Sequence, residues 1–264
     1  MTNLKYQISK YKWGLIAAGV VVAVIVVFMA TRQRDKTWVQ VRQSGVVRFG
    51  MDASYPPFDG LLASGEFVGL DVELARELAQ RMGLRAEFTS IGSDGLYDAL
   101  TTGRCDAVIS ALVPDAGRTQ DFRYTTPYFD SGLVLVVPVT STLDNLKGRT
   151  LAVERGSEGD VRARWLARRT LGLRLLTYDT SGEAMRAVET GLADAALTDT
   201  ATAREYVAAH PALRIGPRQT SSPYVIATHI SAPELARALE QALAQVKADG
   251  ALERILARWL DQAR

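Results

Sequence analysis

Cysteine is nearly absent. Cys105 is the single thiol among 264 residues, so no disulfide can form within the chain and no zinc centre can be assembled from thiolates. Histidine is scarce as well. His210 and His229 are the two imidazoles, neither at a metal-ligand spacing, so neither a metal nor another cofactor is expected; His210 precedes Pro211 at a helix end, where capping or exposure accounts for it. Charge of one sign is missing too: 31 basic and 29 acidic residues leave a formal charge of +2, without the clustered Lys and Arg of a nucleic-acid-binding face. Nucleophile-base pairs and phosphate loops are lacking, so no catalytic residues are assigned.

What the chain does have begins with an apolar run, Trp13 to Ala30, preceded by Lys5, Lys10 and Lys12. A run of that length is near the ~20 residues that a bilayer requires. Residues 1–30 are read as a transmembrane anchor in preference to a removed signal peptide, because Phe28 spoils the small-residue pattern that cleavage needs. Arg32, Arg34, Lys36 and Arg42 follow the run, so the charge rule does not choose an orientation. Residues 31–44 are polar and read best as a solvated linker; the alternative is a tether ending in a short helix, with Trp38 and Val41 on one surface.

From Val46 onward strands and helices alternate, which predicts an α/β fold with a largely parallel sheet. Val46, Val47 and Phe49 read as a buried strand, and Pro56-Pro57 turns the chain away, leaving Asp52 and Tyr55 on the rim. Leu70, Leu74, Ala75, Leu78, Ala79 and Met82 recur at helical spacing, with Asp71 as the expected cap. Residues 99–110 and 187–198 echo one another at an offset of 88 positions: each is a helix end, a Thr-Gly stop (Gly103, Gly191) and an Asp-Ala pair (Asp106, Asp194) entering a strand. The echo predicts two lobes of similar plan. Leu133–Val137 and Ser222–Ala227 are expected to be the two crossings of a hinge, giving one lobe from 45–137 and 223–264 and a second from 138–222. Two amphipathic helices broken at Asp249-Gly250 close the chain and read as core.

Six motifs, in order, carry a resemblance: Asp52-Ala53-Ser54-Tyr55-Pro56-Pro57-Phe58, Val68-Gly69-Leu70-Asp71-Val72-Glu73-Leu74-Ala75, Asp94-Gly95-Leu96, Pro127-Tyr128-Phe129-Asp130-Ser131-Gly132, Leu143-Asp144-Asn145-Leu146-Lys147-Gly148 and Ala248-Asp249-Gly250. From Val46 to about Leu260 the chain resembles the type 2 periplasmic solute-binding proteins, in the branch that binds amino acids for ABC importers. The resemblance implies a two-lobe periplasmic-binding-protein-like type II fold, an extracytoplasmic location, an amino-acid ligand, an ABC transporter permease as partner, and a monomer. It also implies the grip. Arg118 stands where the family keeps the arginine that forks onto the ligand carboxylate, Asp199 where it keeps the acid for the ammonium, and Asp52 and Tyr55 match the first-lobe acid and the ring over the ligand side chain. Ala111, Ser157 and Glu158 belong to the same expected ligand-binding set, with Gly156-Ser157-Glu158-Gly159 opening a helix whose free N–H groups favour an anion.

Departures from the pattern bear on specificity. Ser93 replaces a second aromatic wall, Val113 replaces a threonine, and the stretch from Arg118 to Asp121 is shorter by two residues than the common pattern. Glu154 occupies a wall position that, with Asp52, suits a cationic or polar side chain. Two alternatives stay open at this point: a cyclohexadienyl or arogenate dehydratase-like enzyme with Glu154 or Glu158 as its acid, and a ligand-sensing module.

Overall fold

The computed structural model describes residues 35–261. The Trp13–Ala30 run and the anchor expected there lie outside the described residues, and among the described residues no helix is long and apolar enough to cross a membrane. The described residues open on helix α1 (Lys36–Ser44), which corrects the expectation of a solvated linker up to residue 44: Val41 is buried and Trp38 packs on the main core. Asp35 fastens this start. Its Oδ1 accepts from the Trp38 N–H at 2.7 Å, while Oδ2 accepts from the N–H groups of Glu234 and Leu235 at 2.8 and 3.2 Å. One carboxylate thereby satisfies orphan donors at two helix starts far apart in the chain.

Strands β1 (Val46–Met51), β2 (Ser54–Tyr55), β3 (Asp59–Leu61) and β4 (Phe67–Val68) lead into helix α2 (Leu70–Arg81). The apolar spacing buries Leu70, Leu74, Ala75, Leu78 and Ala79 as expected, but the cap is Gly69, not Asp71. Gly69 sits at φ 134°, where any Cβ would strike the Phe58 carbonyl, and Asp71 is carried inward to full burial. The chain continues through β5 (Arg85–Ser90), α3 (Leu96–Thr101), β6 (Ala107–Val108), β7 (Phe122–Tyr124), β8 (Phe129–Asp130), β9 (Leu133–Pro138) and β10 (Thr150–Glu154). Then come α4 (Glu158–Ala167), β11 (Arg174–Tyr178), α5 (Ser181–Glu189), β12 (Ala195–Asp199), α6 (Thr200–Ala209), β13 (Leu213–Arg218), β14 (Pro223–Tyr224), β15 (Ala227–His229), α7 (Pro233–Ala248) and α8 (Ala251–Leu260).

Two five-stranded sheets result, in the orders β5-β1-β6-β15-β7 and β11-β10-β12-β9-β13. Their centres follow one plan: β1 runs parallel to β5 and β6, and β10 runs parallel to β11 and β12. The sequence echo has a matching structural role. Asp106 accepts from the Arg48 backbone N–H at 2.9 Å and pairs with its guanidinium at 2.7 Å. Asp194 accepts from the Thr150 N–H at 2.7 Å and pairs with Arg149 at 3.1 Å. In each lobe an aspartate at a strand entrance thus ties down the parallel strand beside it.

The hinge is shifted from its expected place. Leu133–Val137 is not a crossing: β9 lies inside the second sheet, antiparallel to both β12 and β13, with all five of those residues buried. The crossings are β8 and β14, which pair antiparallel with Phe129 opposite Tyr224 and Asp130 opposite Pro223. A run of five buried apolar residues suits a strand covered on both faces better than an exposed connector. The closing helices pack as expected, with Leu235, Leu239, Leu243, Leu252, Ile255 and Leu256 in the core of the first lobe.

Candidate functional site

The topology places the carboxyl ends of the central strands beside the hinge. β9 starts at Leu133, immediately after the first crossing, and Leu133 pairs with Asp199 at the end of β12. β15 starts shortly after the second crossing, and its Ala227 pairs with Val108 at the end of β6. Both parallel-strand edges therefore open on the same hinge region, the position where ligands collect in open α/β sheets.

On the first-lobe edge, Asp52 follows β1 and is held by two donors: the Ser54 hydroxyl at 2.7 Å and the Ser93 backbone N–H at 3.0 Å. Ser93 thus meets Asp52, but through its main chain. Tyr55 is half exposed, and its ring stacks on Phe58 with centroids 5.8 Å apart. Arg118 ends a short 3-10 turn started by Asp115. Its Nε donates to Asp115 at 3.2 Å and its guanidinium lies 4.6 Å from the centre of the Tyr97 ring. Those two contacts hold the stem of the fork, and among the described residues neither terminal nitrogen donates a hydrogen bond. A planar fork held in this way is suited to bidentate carboxylate binding. Val113 is exposed beside this turn and contributes no polar group.

Ala111 is the strained point of the edge. It is the one described non-glycine residue with positive φ, at 44°, and its N–H donates to Asp71 Oδ2 at 2.6 Å. Its neighbour Ser110 receives the Asp52 N–H at 2.9 Å and donates to Asp59 Oδ2 at 3.0 Å. Two fully buried carboxylates, Asp59 and Asp71, thus lie beneath the segment that carries Ala111. Among the described residues no cation faces them: the charged or titratable neighbours are Asp52, Tyr128 and each other. Burial, then the nearby Asp71 charge, pushes the Asp59 carboxyl up to about 9. Burial pushes Asp71 up to about 7, against the lowering effect of the Ala111 N–H. One oxygen of each acid and the hydroxyl of Tyr128, which faces Asp71, have no well-formed hydrogen bond. A pair of this kind holds a proton near neutrality, because desolvation and like charge both disfavour the doubly ionised state.

The second-lobe edge is better tied down. Glu154 ends β10, and its Oε2 accepts from the N–H and hydroxyl of Ser181 at 3.1 and 2.6 Å. Ser157 caps α4 by accepting from the Asp160 N–H at 3.1 Å. Gly159 lets this helix start lie close on β12: a Cβ there would be 2.7 Å from the Leu197 carbonyl. Glu158 is exposed on the first turn. Asp199 caps α6, accepting from the Thr202 N–H at 2.9 Å. Next to it, the Thr200 hydroxyl donates to the Gly132 carbonyl at 2.6 Å, fixing the helix to the hinge.

Asp52, Tyr55, Ser93, Ala111, Val113 and Arg118 thus gather on one lobe, and Glu154, Ser157, Glu158 and Asp199 on the other. Among the described residues no hydrogen bond or ion pair joins the first group to the second. Tyr224 of the second crossing stands between them: burial raises its hydroxyl, which interacts with Ser131, Tyr55 and Asp199. Sequence reasoning missed Tyr97, Ser110, Asp59 and Tyr224. Tyr97 lies four positions after Ser93 and one helical turn along, so helical spacing was the available signal; the buried acids carried none. The surface pockets of about 380 Å³ along Arg123 and Arg237 and about 360 Å³ beside Arg48 include none of the expected residues. Among the described residues, no group of three or more His, Cys, Asp or Glu side chains is placed to hold a metal ion.

Comparison with known proteins adds to this geometry. The family model described as bacterial extracellular solute-binding proteins, family 3, matches residues 47–262. An ABC transporter arginine-binding protein 1 of Escherichia coli (strain K12) is 29% identical over 224 residues, covering 82% of this chain and 91% of its own. An L-cystine-binding protein of the same strain is 27% identical over 227 residues, covering 83% and 84%. Among solved structures, the L-cystine solute receptor of Neisseria gonorrhoeae in the unliganded open conformation has a TM-score of 0.70 at 25% identity, covering 82% of this chain and 93% of its own.

Proposed function

Because the chain belongs to the bacterial extracellular solute-binding proteins, family 3, we propose that it captures a polar or basic amino acid between its lobes and presents it to an ABC transporter. Its place of work is outside the cytoplasm, as for its relatives. The Arg118 fork takes the ligand carboxylate, assisted by N–H groups at the start of α4, and Asp199 takes the ammonium from the opposite lobe. The Tyr55 ring covers the side chain, and Glu154, with Asp52, receives a donor or cation at its end. The protein acts as a binder, not as an enzyme, in keeping with the names of the relatives it matches. It works as a monomer held at the membrane by residues 13–30.

The observation that carries this reading is the convergence of the two strand edges on one hinge, with an arginine fork on one and a helix-capping acid on the other. A zwitterion needs both charges at a fixed separation, and the reading takes the cation from one lobe and the acid from the other, with Asp52 of the first lobe already engaged by Ser54 and Ser93. Solute entering the parted cleft is then bound by closure, which stabilises the form that a permease recognises.

Calorimetric titration of the purified protein with arginine, lysine, histidine, glutamine and an aliphatic amino acid tests it. Binding of one or more of the first four is expected. If all four fail and the aliphatic amino acid binds, the assignment of Glu154 and Asp52 to the side chain is wrong. If no amino acid binds, the capture reading fails.

A further inference from the structure

We infer that Arg204 is a positioning residue that holds the two lobes apart, and that it does so through a clamp made with the opposite lobe, so that the clamp competes with solute. The inference rests on the capture reading for its link to affinity, but the clamp itself stands on geometry. Arg204 lies on α6 of the second lobe. Its Nε and Nη2 donate to the two oxygens of Asp261 at 2.7 Å each, and Nη2 also donates to Glu253 at 2.8 Å. Glu253 is in the first turn of α8 and Asp261 caps its end, and α8 belongs to the core of the first lobe. Only 18% of the Arg204 side chain is exposed, so this pair is bidentate and partly shielded, the kind that contributes measurably.

The location of the clamp matters as much as its strength. Other polar links between the lobes lie at the crossings themselves: Thr200 to the Gly132 carbonyl at 2.6 Å and Arg218 to Asp130 at 2.9 Å. The Arg204 clamp is made one turn further along α6 than Thr200, about 6 Å along the axis, and on α8 instead of on the crossings, in an arrangement where the expected ligand groups of the two lobes do not touch. Asp199 and Arg204 ride on the same helix, one as its cap and one five residues on, about 7.5 Å along the axis. A rotation that carries Asp199 toward Arg118 moves Arg204 with it. A bidentate pair tolerates little displacement before its hydrogen bonds fail, so closure weakens the clamp. Apparent affinity then equals the intrinsic affinity multiplied by the fraction of protein that closes unaided.

The test compares wild type with Arg204→Ala, Asp261→Asn and the exchanged pair Arg204→Glu with Asp261→Arg. Spin labels at Leu62→Cys and Val161→Cys report lobe separation; both positions are exposed and lie on opposite lobes, and the native Cys105 is buried beyond labelling. In ligand-free protein, Arg204→Ala is expected to move the distance distribution toward the closed form and to tighten L-arginine binding about tenfold, equivalent to ~1.4 kcal/mol. Asp261→Asn is expected to move both in the same direction by less, and the exchanged pair to restore the wild-type distribution. The inference is overturned if Arg204→Ala and Asp261→Asn leave the distances unchanged, or if they weaken binding. Should Arg204→Ala fail to fold, Asp261→Asn and Glu253→Gln decide the matter. Should wild type bind no amino acid, the capture reading falls while the ligand-free distances still judge the clamp.

Discussion

Asp59→Asn tests the buried acid pair directly. In the unfolded chain the Asp59 carboxyl ionises near its ordinary 3.8, whereas in the folded protein burial and the Asp71 charge hold the proton up to about 9. Folding therefore takes up a proton throughout that window. The group's contribution is fully present below about pH 4 and is lost as pH rises toward 9. One proton corresponds to about 1.4 kcal/mol per pH unit, so the upper limit between pH 5 and pH 8 is about 4 kcal/mol, against ~5–15 kcal/mol for a whole domain. Asparagine resembles the protonated acid in shape but has nothing to ionise. Urea midpoints measured at pH 5, 6, 7 and 8 should fall with rising pH in wild type and fall less in Asp59→Asn. The variant should gain on wild type by at least 1 to 2 kcal/mol over this range, a deliberate discount on the upper limit. Parallel curves would refute the shared-proton account and leave the two acids as ordinary buried hydrogen-bond acceptors.

Three further outcomes follow from the geometry. Asp35→Ala uncaps α1 and α7 at once and should cost about 1–3 kcal/mol, read as a lower urea midpoint, because each lost cap is worth ~1 kcal/mol; an unchanged midpoint would mean that water replaces it. Arg118→Ala should abolish amino-acid binding in calorimetry while leaving the midpoint within ~0.5 kcal/mol of wild type, since the side chain is about half exposed; retained binding would remove Arg118 from the site. Gly159→Ala sets a Cβ 2.7 Å from the Leu197 carbonyl and should destabilise by ~1–3 kcal/mol, the range for overpacking, which chemical denaturation would register.

Much of the architecture was legible because it is written in periodicity and local stops. The α2 stripe, the closing pair of helices and the Asp106/Asp194 echo depend on spacing that a sequence displays directly. The hinge was displaced because Leu133–Val137 reads as a continuous apolar strand whether it crosses between lobes or lies inside a sheet; only its pairing with β12 and β13 tells the two apart. Asp71 reads as a cap in the sequence because an acid before a helical stripe normally is one. The close contact of Gly69 with Phe58, which carries the acid inward, is a tertiary fact. The α1 segment looked solvated because Lys36, Gln40 and Arg42 dominate it, whereas its docking rests on Trp38 and Val41 together with the Asp35 cap. The Arg204 clamp was invisible for the same kind of reason: its partners lie 49 and 57 positions away, and no local pattern links them.

The crossings themselves carry a mechanical consequence. Gly132 presses its α-carbon so closely on the Thr220 main chain that a Cβ would overlap it. Asp130 joins the same ply, accepting from the Gly132 and Ser222 N–H groups at 2.8 Å each and from the Ser221 hydroxyl at 2.8 Å. Two separate strings would let the halves slide, shear and yaw. Stitched together over this short length they form a single two-ply strap, which opposes sliding and shear between the halves more than two separate strings would.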